Sequence, residues 1–203
     1  MVVGVLFLVI MLVGVLSVPL AGGRLSLLAD LRLRAVGLLS GALLVQVLIL
    51  AVLSDGNPTI LGATYVATFV AAGAFLWLNR RIPGILLLGL GGALNATAII
   101  ANGGVMPARA GALEAAGRPI VEDRFRNSTA VTDPHLPWLG DTFAIPSGVP
   151  LANVFSVGDV VIALGAFLLL HAACNSRLSR IPVPSRRSAG QKGSPRVVER
   201  VTR

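Results

Sequence analysis

Charge is scarce in this chain: Asp, Glu, Lys and Arg make up 13% of its 203 residues, against roughly a quarter in a typical soluble domain. That scarcity excludes a globule whose whole surface is wetted. Cysteine is almost missing as well. Cys174 alone can form neither an internal disulfide nor a multi-cysteine metal site, and at the end of an apolar run it reads as a buried, inert thiol. Histidine is limited to His135 and His171. They fall at different depths, which excludes paired histidine ligation of haem or a metal. No phosphate loop, nucleophile elbow or zinc-protease motif is present. No cofactor and no metal are therefore expected. Lysine occurs once, as Lys192, and the dominance of Arg, Ala, Gly, Val and Leu is typical of a GC-rich bacterial genome.

What the chain has is apolar length. It is 55% hydrophobic with a mean hydropathy of +0.83, and it contains uncharged runs long enough to cross a ~30 Å hydrocarbon core at about 1.5 Å per residue. A net charge of +8 could suggest nucleic acid. The basic residues flank apolar runs instead, and no soluble reading domain is left to carry them, so nucleic acid is excluded as a partner.

Five spans are expected, at about residues 1–20, 35–54, 59–78, 82–101 and 156–174. The first starts without the positive charge of a secretory signal and is longer than one. Gln46 interrupts the second. Ser54 to Pro58 is a turn in which Pro58 opens the next helix. Trp77 ends the third span, where an amphipathic ring prefers the headgroup level. Residues 102–155 are polar and Pro-rich, without sustained helical periodicity. Residues 177–203 are basic and rich in Pro, Ser and Gly, which predicts a disordered tail that attracts anionic lipid headgroups. The fold expected is thus an all-α membrane protein, a five-transmembrane-helix bundle over residues 1–176 with one long irregular extracytoplasmic loop.

Positive charge orients such a bundle. One set of alternate segments, Ala21 to Arg34, Asn79 to Arg81 and the tail, carries thirteen of the seventeen lysines and arginines; Arg109, Arg118, Arg124 and Arg126 lie in the other. That other set holds Asp55, Glu114, Glu122, Asp123, Asp133 and Asp141. The expectation is a multi-pass protein of the bacterial cytoplasmic membrane, with its N-terminus outside and its C-terminus in the cytoplasm.

Chemistry has few places to reside. In the fourth span Gly89/Ala93 and Gly92/Ala96 are small pairs one turn apart, which allow close helix packing in lipid. Asn95 and Asn102, two turns apart, share a face with Gly91 and Ala98. They are either packing residues or the polar wall of an outward cavity. Gly103 and Gly104 can adopt positive φ and expose amides to a ligand. Ser156 followed by Asp159 fits a capping box at the start of the last span. The alternative is a pair of carboxylates, Asp141 and Asp159, sharing a proton to activate water.

Gly22-Gly23-Arg24 with Leu28-Ala29, Gln46, Asn102-Gly103-Gly104 with Met106-Pro107, Leu139-Gly140-Asp141 and Phe155-Ser156-Val157-Gly158-Asp159 together resemble a family of bacterial multi-pass membrane proteins, domain of unknown function 5317. The resemblance runs from the first span to about residue 174 and implies no activity. A shorter similarity joins Phe155, Gly158, Asp159, Ile162 and Gly165, with Gly91-Gly92-Ala93-Leu94 and Gly104, to the lipoprotein signal peptidases. It implies a catalytic aspartate at Asp159. Ser156 stands where that family has asparagine, and Ile99 and Ala108 stand where it has acids, so Asp141 would have to complete the pair. The function expected is that of a non-enzymatic membrane protein that binds a membrane-protein partner or a second copy of itself, with an intramembrane aspartyl hydrolase as the alternative.

Overall fold

The computed structural model describes residues 2–53, 56–118 and 128–179. Asp55, Glu122, Asp123, Arg124, Arg126 and the tail beyond Ser179 lie outside the described residues. The protein is mostly helical. In chain order it contains α1 (Val2–Leu20), α2 (Val36–Ala51), α3 (Pro58–Leu78), α4 (Ile85–Ala101), β1 (Met106–Pro107), α5 (Ala110–Ala115), β2 (Ser128–Thr129), β3 (Phe143–Ile145), β4 (Asn153–Phe155) and α6 (Val157–Ala173). Short 3-10 helices occupy Leu25–Asp30 and Pro137–Leu139. Among the described residues, Thr59–Leu78 is long and apolar enough to cross a membrane. The apolar stretches Val9–Leu20, Val36–Ile49, Ile85–Ala101 and Val157–Ala173 are shorter.

Local chemistry sets the helix ends. Asn57 Oδ1 accepts from the amides of Thr59 (3.0 Å) and Ile60 (3.2 Å), with Pro58 in the first turn of α3. The fourth apolar run, expected to be helical from Ile82, becomes α4 only at Ile85, because Gly84 turns into the left-handed region at φ +86. Asn79 and Asn102 are the C-terminal caps of α3 and α4. Between α2 and α3, Gln46 Nε2 donates to Thr68 Oγ1 at 2.7 Å, which satisfies the one strongly polar side chain of the second run.

The most extensive helix contact joins α4 to α6, and glycine makes it possible. A Cβ on Gly91 would lie 2.7 Å from the Ile162 nitrogen, and one on Gly165 would lie 2.6 Å from the Leu88 nitrogen. Gly84 faces Gly165 and Gly91 faces Gly158, so glycines seven residues apart on each helix meet in antiparallel order. Close packing through Gly89/Ala93 and Gly92/Ala96 is not what forms: nothing lies within 4 Å of a Cβ at Gly92, and only the tip of Leu76 lies near one at Gly89. Those residues sit on a different face of the same helix.

Residues 102–155 are less irregular than expected. β1 and β2 pair in parallel, β3 and β4 pair antiparallel, and α5 packs against the β3–β4 hairpin around Ala108, Ala112, Leu113 and Val154. Elements of two to six residues are too short to leave a periodicity in sequence. The start of the expected disordered tail is also ordered. The Arg177 amide donates to the Ala21 carbonyl at 2.9 Å, the Arg24 amide donates to the Cys174 carbonyl at 2.9 Å, and Ser179 is buried.

Candidate functional site

The polar residues of the expected site lie where α4, α6 and the 102–155 segment meet. Ser156 caps α6: its Oγ accepts from the Asp159 amide at 3.0 Å while Asp159 Oδ2 accepts from the Ser156 amide at 2.9 Å. Asn95 of α4 closes a ring on this box. Its Nδ2 donates to Asp159 Oδ1 and its Oδ1 accepts from Ser156 Oγ, both at 2.8 Å. Side-chain bulk at Gly158 would collide with that same Asn95 oxygen, so the glycine contact and the polar ring are one feature. Ser156 is fully buried and Asp159 half-buried. Each carboxylate oxygen accepts one hydrogen bond.

Asn102 is not part of this ring. Its Nδ2 donates to the carbonyls of Ala98 (2.7 Å) and His135 (2.8 Å), and its Oδ1 accepts from the His135 amide at 2.9 Å. This grip holds a stretch in which Asp133 and Leu136 take left-handed φ values of 54° and 53°, a conformation that costs about 1–2 kcal/mol for a residue with a side chain. Gly103 and Gly104 do adopt positive φ, 69° and 98°. Their amides are nonetheless engaged, donating to Ile100 (3.3 Å) and Ile99 (2.8 Å) carbonyls at the end of α4. They therefore terminate a helix and do not present an open amide cradle, which corrects the expectation drawn from their sequence.

Asp141 is buried at 6% exposure. Its backbone is fixed by an isolated bridge to Ala108: the Asp141 amide donates to the Pro107 carbonyl at 2.9 Å and its carbonyl accepts from the Arg109 amide at 3.0 Å. One buried polar residue was missed by sequence reasoning. Tyr65 of α3 is 6% exposed. It sits among Ile49, Leu61, Ala98, Ile99 and Met106, edge-on to Phe69 with ring centroids 5.5 Å apart. A lone tyrosine within an apolar run reads as packing, so its polar end gave no signal. Being the chain's single tyrosine was the one clue available.

The profile of a family of unknown function, DUF5317, matches residues 30–171. The chain belongs to that family. Every candidate site residue of this DUF5317 protein lies inside the matched stretch, whereas α1 precedes it. No curated protein and no solved structure matches the chain.

Asn153 is the second residue that sequence reasoning missed. It is 1% exposed, and neither Nδ2 nor Oδ1 has a hydrogen-bond partner. His171 lies far from the acids, buried between Ser17 Oγ (2.9 Å from Nε2) and Ser176 Oγ (2.7 Å from Nδ1). Among the described residues of this DUF5317 chain, no cluster of three or more His, Cys, Asp or Glu side chains could hold a metal ion.

Proposed function

We propose that this chain is a five-span protein of the bacterial cytoplasmic membrane, with its N-terminus outside, and that it acts by binding and not by catalysis. The observation that carries this reading is the exposure of large apolar side chains on each of the five long helices. Val13 is 60% exposed, Val47 59%, Val70 74%, Leu86 68% and Leu164 56%. In the apolar window of α3 only 28% of residues are buried, whereas the core helix of a soluble protein would be mostly buried. Water-soluble monomers rarely expose apolar area on that scale. The 16 residues of α2 rise about 24 Å, and local bilayer thinning accommodates such a shortfall at small cost.

The distribution of arginine supports an outer position for residues 102–155 and a cytoplasmic tail lying against anionic lipid headgroups. Binding is favoured over catalysis because the polar side chains have structural duties. Asn95, Ser156 and Asp159 satisfy one another, and Asn102 holds the loop at His135. The uncovered helix faces leave room for a partner helix or a second copy of the chain.

Cysteine labelling tests the topology cleanly, because the native Cys174 is fully buried. In intact cells an impermeant maleimide should modify Glu114→Cys, and it should modify Ala189→Cys only after permeabilisation. The reverse pattern would overturn the orientation, and soluble chain in the cytosolic fraction would overturn the membrane reading. For the second part, Asp159→Asn should alter stability and any cellular phenotype together. Lost phenotype with unchanged abundance and melting would point to chemistry.

One observation favours the hydrolase as a second reading, namely the burial of Asp141 at 6% exposure. In that reading one carboxylate takes a proton from water as its oxygen adds to a peptide carbonyl. The other, protonated, gives its proton to the departing nitrogen as the C–N bond breaks. Asp141→Ala and Asp159→Ala should then each stop cleavage of a membrane-anchored peptide, and survival of either variant's activity removes the pair.

A further inference from the structure

α1 and α6 run in the same sense and touch toward their C-terminal ends, where Ser17 meets His171 and Gly14 approaches Leu170. Toward their N-terminal ends they enclose a groove of about 520 Å³, with Val9, Ile10 and Val13 on one wall and Val160, Ala163 and Phe167 on the other. That volume suits a small amphiphilic ligand. Ile145 and Phe155 also line it, and Asp159 is its single polar lining residue.

The register of the β3–β4 hairpin sets a second polar residue, Asn153, beside two of the lining residues without making it part of the lining. Ile145 pairs with Asn153 and Phe143 with Phe155, and directly paired residues of an antiparallel ladder share a face. Ala144 and Val154 take the opposite face, packed with Ala112 and Leu113. Asn153 therefore lies on the same face as the groove residues Ile145 and Phe155. Its amide is fully buried with both polar atoms unpaired, a state that native proteins avoid unless water or a ligand supplies the missing partner. Asp159 has hydrogen bonds but, among the described residues, no cation beside it.

We infer that this groove holds one zwitterionic aminophospholipid, its acyl chain between α1 and α6 and its head group at Asp159 and Asn153. The ammonium answers the uncompensated carboxylate, and phosphate or ester oxygens accept from Asn153 Nδ2 once that buried side chain turns toward Ile145 and Phe155. An anionic lipid lacking an amine would meet Asp159 with like charge. The inference rests on the membrane-spanning reading above and names the ligand class that reading leaves open.

Native mass spectrometry of the full chain in detergent tests it, with phosphatidylethanolamine and phosphatidylglycerol as probes. One phosphatidylethanolamine adduct should persist, with about tenfold weaker retention of phosphatidylglycerol, the discrimination expected of one charge-assisted hydrogen bond. Asp159→Asn should erase the preference. Because that change also disturbs the helix cap, Ala163→Phe serves as a second variant: it fills the groove without touching the cap and should lose the adduct with unchanged melting. Equal retention of both lipids, or an adduct that survives Ala163→Phe, would overturn the inference. So would displacement of lipid by a cross-linked partner helix at Val13→Cys. Absence of the chain from carbonate-washed membranes would defeat the membrane reading itself, whereas membrane-embedded chain without an adduct defeats this inference alone.

Discussion

Gly91 and Gly158 meet backbone to backbone across α4 and α6, so near that a Cβ on Gly158 would reach the Gly91 carbonyl at 2.8 Å. The contact brings Asn95, one turn beyond Gly91, against the cap of α6. Packing and polar chemistry are coupled here by residue size. With any larger residue at either position, α4 would stand off and the amide of Asn95 would lose its partners. Gly91→Ala should therefore lower stability by about 1–3 kcal/mol, the usual cost of overpacking, and weaken the Asn95 ring with it. Gly92→Ala, one residue along in open space, should be neutral or stabilise by up to about 1 kcal/mol through helix propensity. Thermal unfolding of the two variants in detergent checks both, and equal melting temperatures would dismiss the close approach.

Asn79 and Asn102 close their helices by the same device. Each Nδ2 donates to the carbonyl four residues back, Phe75 or Ala98, and each amide makes a two-way pair with a distant backbone residue, Arg34 or His135. An asparagine is suited to this because it offers a donor and an acceptor side by side. Asn102→Asp keeps the shape and removes the donor, so it should free the loop at His135 while Asn102→Ala does the same with less charge repulsion. Limited proteolysis should cut near residue 135 in both, at a stability cost of about 1–3 kcal/mol. Asn79→Ala should leave that site protected and expose the Arg34 segment instead.

Much of this architecture can be read from hydropathy, because long uncharged runs bounded by Arg, Asn and Pro leave few alternatives. Helix ends deviate where a single backbone conformation decides, as Gly84 does for α4. The capping box at Ser156 and Asp159 was legible because its spacing is its mechanism. The orientation of α4 was not. Small residues four apart drew attention to Gly89 and Gly92, yet the face that meets α6 carries Gly84 and Gly91, and the matching interval between Gly158 and Gly165 was the available hint. Tyr65 and Asn153 stayed hidden for opposite reasons, one a polar end in an apolar run, the other an interior side chain in a polar segment. Neither is visible until tertiary structure supplies neighbours.

His171 binds α1 to α6 through a fixed tautomer. Ser17 Oγ donates to the Gly14 carbonyl at 2.7 Å, so toward the imidazole it can only accept, and Nε2 must carry the proton. Nδ1 then accepts from Ser176 Oγ. Ser17→Ala would leave a buried N–H unpaired and should cost about 1–3 kcal/mol, more than Ser176→Ala, which orphans an acceptor. Nitrogen NMR shifts of a ¹⁵N-histidine sample should place the proton on Nε2. A signal with the proton on Nδ1 would reverse the order of the two mutants.

The Asn95–Asp159 hydrogen bond makes the sharpest prediction, because it links a helix interior to a helix cap. Asp159→Ala removes the acceptor for the Ser156 amide and for Asn95 Nδ2 at once. A lost cap alone costs about 0.5–2 kcal/mol, and the stranded Asn95 donor adds to it. Asn95→Ala removes that donor, so in the double variant Nδ2 is no longer stranded, while the Ser156 amide and hydroxyl lack acceptors as they do in the single variants. The two changes should then cost less together than the sum of the single changes, with a coupling of about 0.5–3 kcal/mol. Denaturation of the four proteins in one detergent measures this. Simple additivity would mean that the capping box stands without help from α4, and that α4 and α6 are held together by their glycines alone.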